Sequence, residues 1–119
     1  MMTSKIIDFK NAVDGVSPEI PADRVDAGNP EQNLFNHYQD PSKQMVSGTW
    51  DCTPGKWHAD YSSKSEFCYI ISGKVVLTDE DGVESTFVAG ESFVIPQGFM
   101  GTWEVVEKVE KLYVIVTPQ

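Results

Sequence analysis

The sequence predicts an all-β domain in which short antiparallel strands close into a sandwich or barrel. Two observations carry this. Runs rich in valine, isoleucine and aromatic residues recur along the chain, and turns built on glycine, proline or aspartate separate them at regular spacing. Together they make roughly eight to ten short strands and leave little room for helix. Second, residues 67–71 and 112–116 are apolar at nearly every position, where a sheet wet on one face would alternate. Such strands need cover on both sides. A barrel interior supplies one cover; a second sheet, the N-terminal arm or a partner subunit supplies the other.

Composition fits this reading and excludes several partners. A chain of 119 residues makes one domain with a core of its own. With 40% hydrophobic and 23% charged residues, it is not a disordered polymer. A net charge of −9 leaves no basic patch for nucleic acid or an anionic membrane surface. No apolar run is long enough to cross a bilayer, and the first residues lack a signal-peptide core. These features predict a cytoplasmic protein. Cys52 and Cys68 do not form a C-x-x-C pair, so free buried thiols are expected in a reducing compartment.

Taken in order, residues 5–13 carry Ile6, Ile7, Phe9 and Val13, a spacing that fits a short strand or a helical turn equally. Gly15, Pro18, Pro21, Gly28 and Pro30 then interrupt any regular structure. Residues 1–33 therefore read as an arm or extra strand that covers a sheet edge or reaches a second subunit; residues 34–119 read as the barrel. The first clear strand is 33–38, closed by Asp40-Pro41-Ser42. Residues 44–52 follow, with Val46, Gly48, Trp50 and Cys52 on one face. Pro54-Gly55 turns the chain into 57–61. Residues 66–71 form a strand that breaks at Ser72-Gly73. Residues 74–78 and 83–88 flank Asp81-Gly82, a hairpin turn whose acidic tip is solvated. Strands at 93–95 and 102–106 are joined by Pro96-Gln97-Gly98. A charged bend at 107–110 precedes the last strand, 111–117.

Two glycine-anchored segments organise these strands. Glu66 is followed after six residues by Gly73; Gly90 is followed after five by Pro96-Gln97-Gly98. The pair resembles the two motifs of the cupin superfamily, which implies a jelly-roll β-barrel. Trp50-x-Cys52-x-Pro54-Gly55-x-Trp57, Glu66-Phe67-Cys68 and residues 98–104 resemble the small cupins related to ureidoglycine aminohydrolase and ethanolamine-utilisation domains. That resemblance covers about residues 45–117. It implies a small organic ligand, with nitrogen-containing molecules as one class, and hydrolase or lyase-type chemistry with Glu66 as the catalytic acid or base.

The departures bear on cofactors. Metal-binding cupins carry a His-x-His pair before the glutamate and a third histidine after Pro-x-Gly. Here the pair would fall on Ala59 and Tyr61 or on Asp60 and Ser62, and the third position is Gly101. Of the family's ligands only Glu66 remains, too few for a transition metal. No cofactor is therefore expected. A divalent metal would require His37 and His58 to converge on Glu66.

Period two places Cys68 and Ile70 on the face of Glu66, and Gly101 on that of Trp103. The expected cavity is lined by Trp50, Cys52, Trp57, Tyr61, Cys68, Trp103 and Tyr113 around Glu66, aromatic walls with one acid. Burial is expected to raise the Glu66 pKa and make it an acid or base; the alternative is a carboxylate hydrogen-bonded to backbone, Tyr61 or Lys111. Cys68 reads as a packed, inert thiol, and Lys111 as a solvated lysine. Gly101 is expected to leave space beside Trp103. Three readings stay open: an enzyme, a non-catalytic ligand-binding or sensing module, and a homodimer joined through Phe67, Tyr69 and Ile71.

Overall fold

Strands form where β-branched and aromatic residues run between turns, and they fall in the order β1 (Val25–Gly28), β2 (Gln32–Gln39), β3 (Met45–Cys52), β4 (Gly55–Asp60), β5 (Ser65–Asp79), β6 (Glu84–Val88), β7 (Ser92–Ile95) and β8 (Met100–Val116). The structure is a computed structural model that describes residues 4–119; Met1, Met2 and Thr3 of the expected arm lie outside the described residues. Among these residues the helical content is a single 3₁₀ turn, Ala22–Arg24. The all-β jelly roll implied by the two motifs is what the chain forms.

Its centre is a long ribbon. β5 and β8 pair antiparallel from Ser65↔Val116 to Asp79↔Gly101. The expected break at Ser72-Gly73 and the expected bend at 107–110 are therefore not strand ends. Register shifts between Ile70, Ser72, Lys74 and Val75 absorb the kink inside the ladder; bulges bend a strand without ending its pairing. The ribbon then joins two sheet halves. Over its first half, β8 pairs with β4, which pairs with β1; over its second half it pairs with β3, which pairs with β2. On the other side, β5 pairs with β7 and then with β6.

Gly73 sits at the bend with φ +92°, and a Cβ there would meet the Lys108 carbonyl oxygen at 2.2 Å. Gly82, at φ +82°, has open space around it. Gly73→Ala should thus cost more than backbone strain alone, on the order of 3 kcal/mol. Gly82→Ala should cost about 1 kcal/mol. Urea unfolding of the two variants checks the difference.

Alternation fills the interior as expected on β3, β5 and β8. Gly48, Trp50 and Cys52, then Glu66, Cys68 and Ile70, and Trp103 and Val105 are all buried, with Val46 half-buried. The Asp81-Gly82 tip is exposed. The arm covers edges. Val16 bridges Leu34 on β2, and β1, which lacks a strand signal in the sequence, pairs with β4. Residues 5–13 form no strand and no helix, only a turn in which Asn11 N–H donates to the Asp8 carbonyl at 3.0 Å. The outer face differs from expectation. Phe67, Tyr69, Ile71 and Val94 are exposed at 42%, 38%, 38% and 60%, so neither a second sheet nor the arm covers it.

Candidate functional site

Cross-strand register places the chemistry. Trp57 on β4 lies opposite Trp103 on β8, and Trp50 on β3 lies opposite Lys111 on β8. The Trp57 and Trp103 rings stack at 6.3 Å and 5°, and Trp50 meets Trp103 edge-on at 5.8 Å. Lys111 extends between these walls. Its Nζ lies 4.5 Å from the Trp50 ring centre and 4.3 Å from that of Trp103, within the range where an aromatic face attracts a cation.

The ammonium donates to Glu66 Oε2 at 2.7 Å and to Cys68 Sγ at 3.6 Å. Tyr61 Oη donates to Glu66 Oε1 at 2.6 Å and accepts from Trp103 Nε1 at 3.1 Å. Glu66 and Lys111 are 4% and 5% exposed, so this is a buried ion pair with both carboxylate oxygens engaged. Burial pushes the Glu66 carboxyl up, but the Lys111 charge and the hydrogen bonds of Lys111, Tyr61 and Cys68 outweigh it and hold the carboxyl below its ordinary value. Burial pushes the Lys111 ammonium down, and the Glu66 charge outweighs that too, so its pKa is raised. Both groups are ionised at neutral pH. Of the two readings open for Glu66, the observed one is the carboxylate bonded by Tyr61 and Lys111, and the Lys111 charge decides the sign of its shift.

Above this pair opens a cavity of about 310 Å³. Trp50, Trp57, Tyr61, Glu66, Trp103, Lys111 and Tyr113 line it, and Pro18, Ile20, Pro21 and Arg24 of the arm close over one side. Gln32 ties wall to arm, accepting from Trp50 Nε1 at 2.8 Å and donating to the Pro18 carbonyl at 3.0 Å. The expected aromatic and acidic side chains thus share one pocket, together with a lysine that was expected in solvent. Cys52 and Cys68 do not line it; both are fully buried and free. Burial pushes each thiol up to about 12, leaving them protonated and inert. The space expected at Gly101 is absent. A Cβ there would meet the Thr78 carbonyl at 2.1 Å and the Phe99 ring at 2.8 Å.

Sequence reasoning named Lys111 as one partner open to Glu66 but placed it in solvent by default, because lysines are rarely buried. Its parity was the available signal: Val109, Lys111 and Tyr113 share a face, and both neighbours are plainly apolar. Arg24 and Gln32 gave no such signal, because they depend on how the arm folds back.

This geometry meets a family likeness. The family model of the EutQ-like cupin domain matches residues 39–113. The chain belongs to the EutQ-like cupin domain family. This cupin is also similar to solved structures. A protein of unknown function of the DUF861 family from Pseudomonas syringae is 23% identical, with a TM-score of 0.78 over 92% of this chain. The match spans 46% of that chain, so this cupin covers just under half its length. The EutQ protein of Clostridium difficile is 18% identical, with a TM-score of 0.65 over 84% of this chain and 80% of that one. A putative ethanolamine utilization protein from Salmonella typhimurium is 14% identical, with a TM-score of 0.66 over 89% and 96%. At these identities the likenesses carry the fold. A comparison with curated proteins finds no match.

The metal of other cupins does not fit this site. His58 points outward on β4, its side chain 65% exposed and its Nδ1 3.0 Å from Asp26. His37 stacks on Phe9 at 4.3 Å. Among the described residues no three histidine, cysteine, aspartate or glutamate side chains converge. The cation beside Glu66 is the chain's own Lys111. No helix among the described residues is long and apolar enough to cross a membrane.

Proposed function

We propose that this cupin binds a small organic molecule in the tryptophan-walled pocket above the Glu66–Lys111 pair. The observation that supports it is the combination of a cavity of about 310 Å³ with a buried ion pair at its floor. Aromatic walls supply apolar contact, and the few polar groups orient the ligand. A buried pair stabilises little by comparison with apolar packing of the same volume, so its presence suits a role in recognition or chemistry. The free, protonated thiols support a reducing compartment such as the cytoplasm.

Binding is the leading reading because Glu66 is ionised and both its oxygens are already engaged. The catalytic reading is hydrolase or lyase-type chemistry, with Glu66 accepting a proton and Lys111 donating one. Thermal unfolding in a metabolite panel, followed by mass spectrometry, separates the two. A ligand at a hundred times its Kd should add about 2.7 kcal/mol to stability. Turnover by wild type that is lost in Glu66→Gln establishes the enzyme. Stabilisation without product establishes the binding module, and stabilisation by no metabolite overturns both.

A second observation favours a homodimer. The exposed positions Phe67, Tyr69, Ile71 and Val94 and the neighbouring Met45 and Val116 carry no charge, in a chain of net charge −9. Two copies can therefore meet there without apposing acids, and grouped exposed apolar side chains suit a contact surface. Light scattering should give twice the chain mass. Phe67→Lys with Val94→Glu should give the monomer, and a wild-type monomer at working concentration would sink the idea.

A further inference from the structure

The pocket has hydrogen-bond donors to spare. Each Glu66 oxygen already accepts a bond, from Tyr61 or from Lys111, and Tyr61 Oη accepts one from Trp103. The pocket's donors are not all used. Lys111 has two acceptors for three N–H groups, and the Trp57 indole N–H has no acceptor among the described residues, unlike those of Trp50 and Trp103. Charge points the same way. Arg24, Lys64 and Lys111, three of the chain's nine basic residues, line the pocket with Glu19, Asp60 and Glu66, three of its 18 acidic ones. The chain is strongly acidic; its pocket is balanced.

Arg24 is the chain's one arginine, and it stands on the pocket rim without an ion pair among the described residues. Its neighbours fix its backbone at the rim. Val25 pairs with Trp57, and Asp26 meets His58 at 3.0 Å, while Arg24 N–H donates to the Pro21 carbonyl at 2.9 Å. A guanidinium so placed offers a planar pair of donors, the shape that fits a carboxylate.

We infer that Arg24 anchors a carboxylate of the ligand at the rim, the ligand's body lying against the tryptophan wall toward the Lys111 N–H. This rests on the pocket reading above. Calorimetric titration with benzoate, benzamide and benzylamine, and with propionate, propionamide and propylamine, varies the head group on two bodies of different size. Wild type should bind a carboxylate about tenfold or more tightly than its amide, with the amine weakest. Arg24→Gln should erase that preference by weakening the carboxylates far more than the amides, and Arg24→Lys should keep part of it. Arg24 is exposed, so both variants should fold. A carboxylate that binds Arg24→Gln as it binds wild type, or an amine that binds best, overturns the anchor while the pocket stands. Binding of none of the six overturns both.

Discussion

Lys111→Met should destabilise this cupin by about 3–5 kcal/mol in urea unfolding, because it leaves the Glu66 carboxylate buried without a cation. Glu66→Gln combined with Lys111→Met should recover most of that loss, since the neutral pair removes both charges and Tyr61 can still bond at the first position. The pH dependence gives a sharper check. In wild type the folded Glu66 carboxyl lies below its ordinary 4.5, so its contribution is complete above pH 4.5 and is lost as pH falls through the folded value. The folded Lys111 ammonium lies above its ordinary 10.5, so its contribution is complete below pH 10.5 and is lost above it. Wild-type stability from this pair is therefore flat between the two limbs. In Lys111→Met the burial of Glu66 is opposed only by the Tyr61 and Cys68 hydrogen bonds, and its folded pKa rises. That variant should gain stability on acidification from neutral pH toward 4.5, and a further loss over that range would contradict the assignment.

Trp103→Ala should cost about 3–5 kcal/mol, the usual range for removing a buried indole. Trp103 is 2% exposed, stacks on Trp57, meets Trp50 and lies under the Lys111 ammonium. The alanine variant should also lose pocket binding, since it removes a wall. Trp103→Phe separates the contributions. It keeps a ring beneath Lys111 but loses the N–H that Tyr61 accepts at 3.1 Å, a change worth about 1 kcal/mol. Near-wild-type stability of the alanine variant would mean that the tryptophan cluster does not hold the pair in place.

The fold was legible because its signals are local. Alternation on β3 and β5 and the spacing of Glu66, Gly73, Gly90 and Pro96 require only neighbouring residues to be read. The errors lie where distant segments meet. Ser72-Gly73 looks like a turn in isolation, yet it continues in the ladder because β8 runs alongside and Gly73 fits against Lys108. Val25–Gly28 is too short and polar to announce a strand, and the open edge of β4 makes it one.

The site divides along the same line. Sequence alone determined which face each strand turns inward, and so brought Trp50, Trp57, Tyr61, Glu66, Trp103 and Tyr113 to one cavity and left the exposed His58 only at its edge. Tertiary structure decided what that cavity is chemically. Only the pairing of Trp50 with Lys111 across β3 and β8 sets an ammonium beside Glu66, and only the fold-back of the arm brings Arg24 to the rim. Side-chain parity depends on the two-residue period of the backbone, which neighbours reveal. The sign of a buried pKa and the charge of a pocket depend on which distant group stands within a few ångströms, and that is settled when the strands pair.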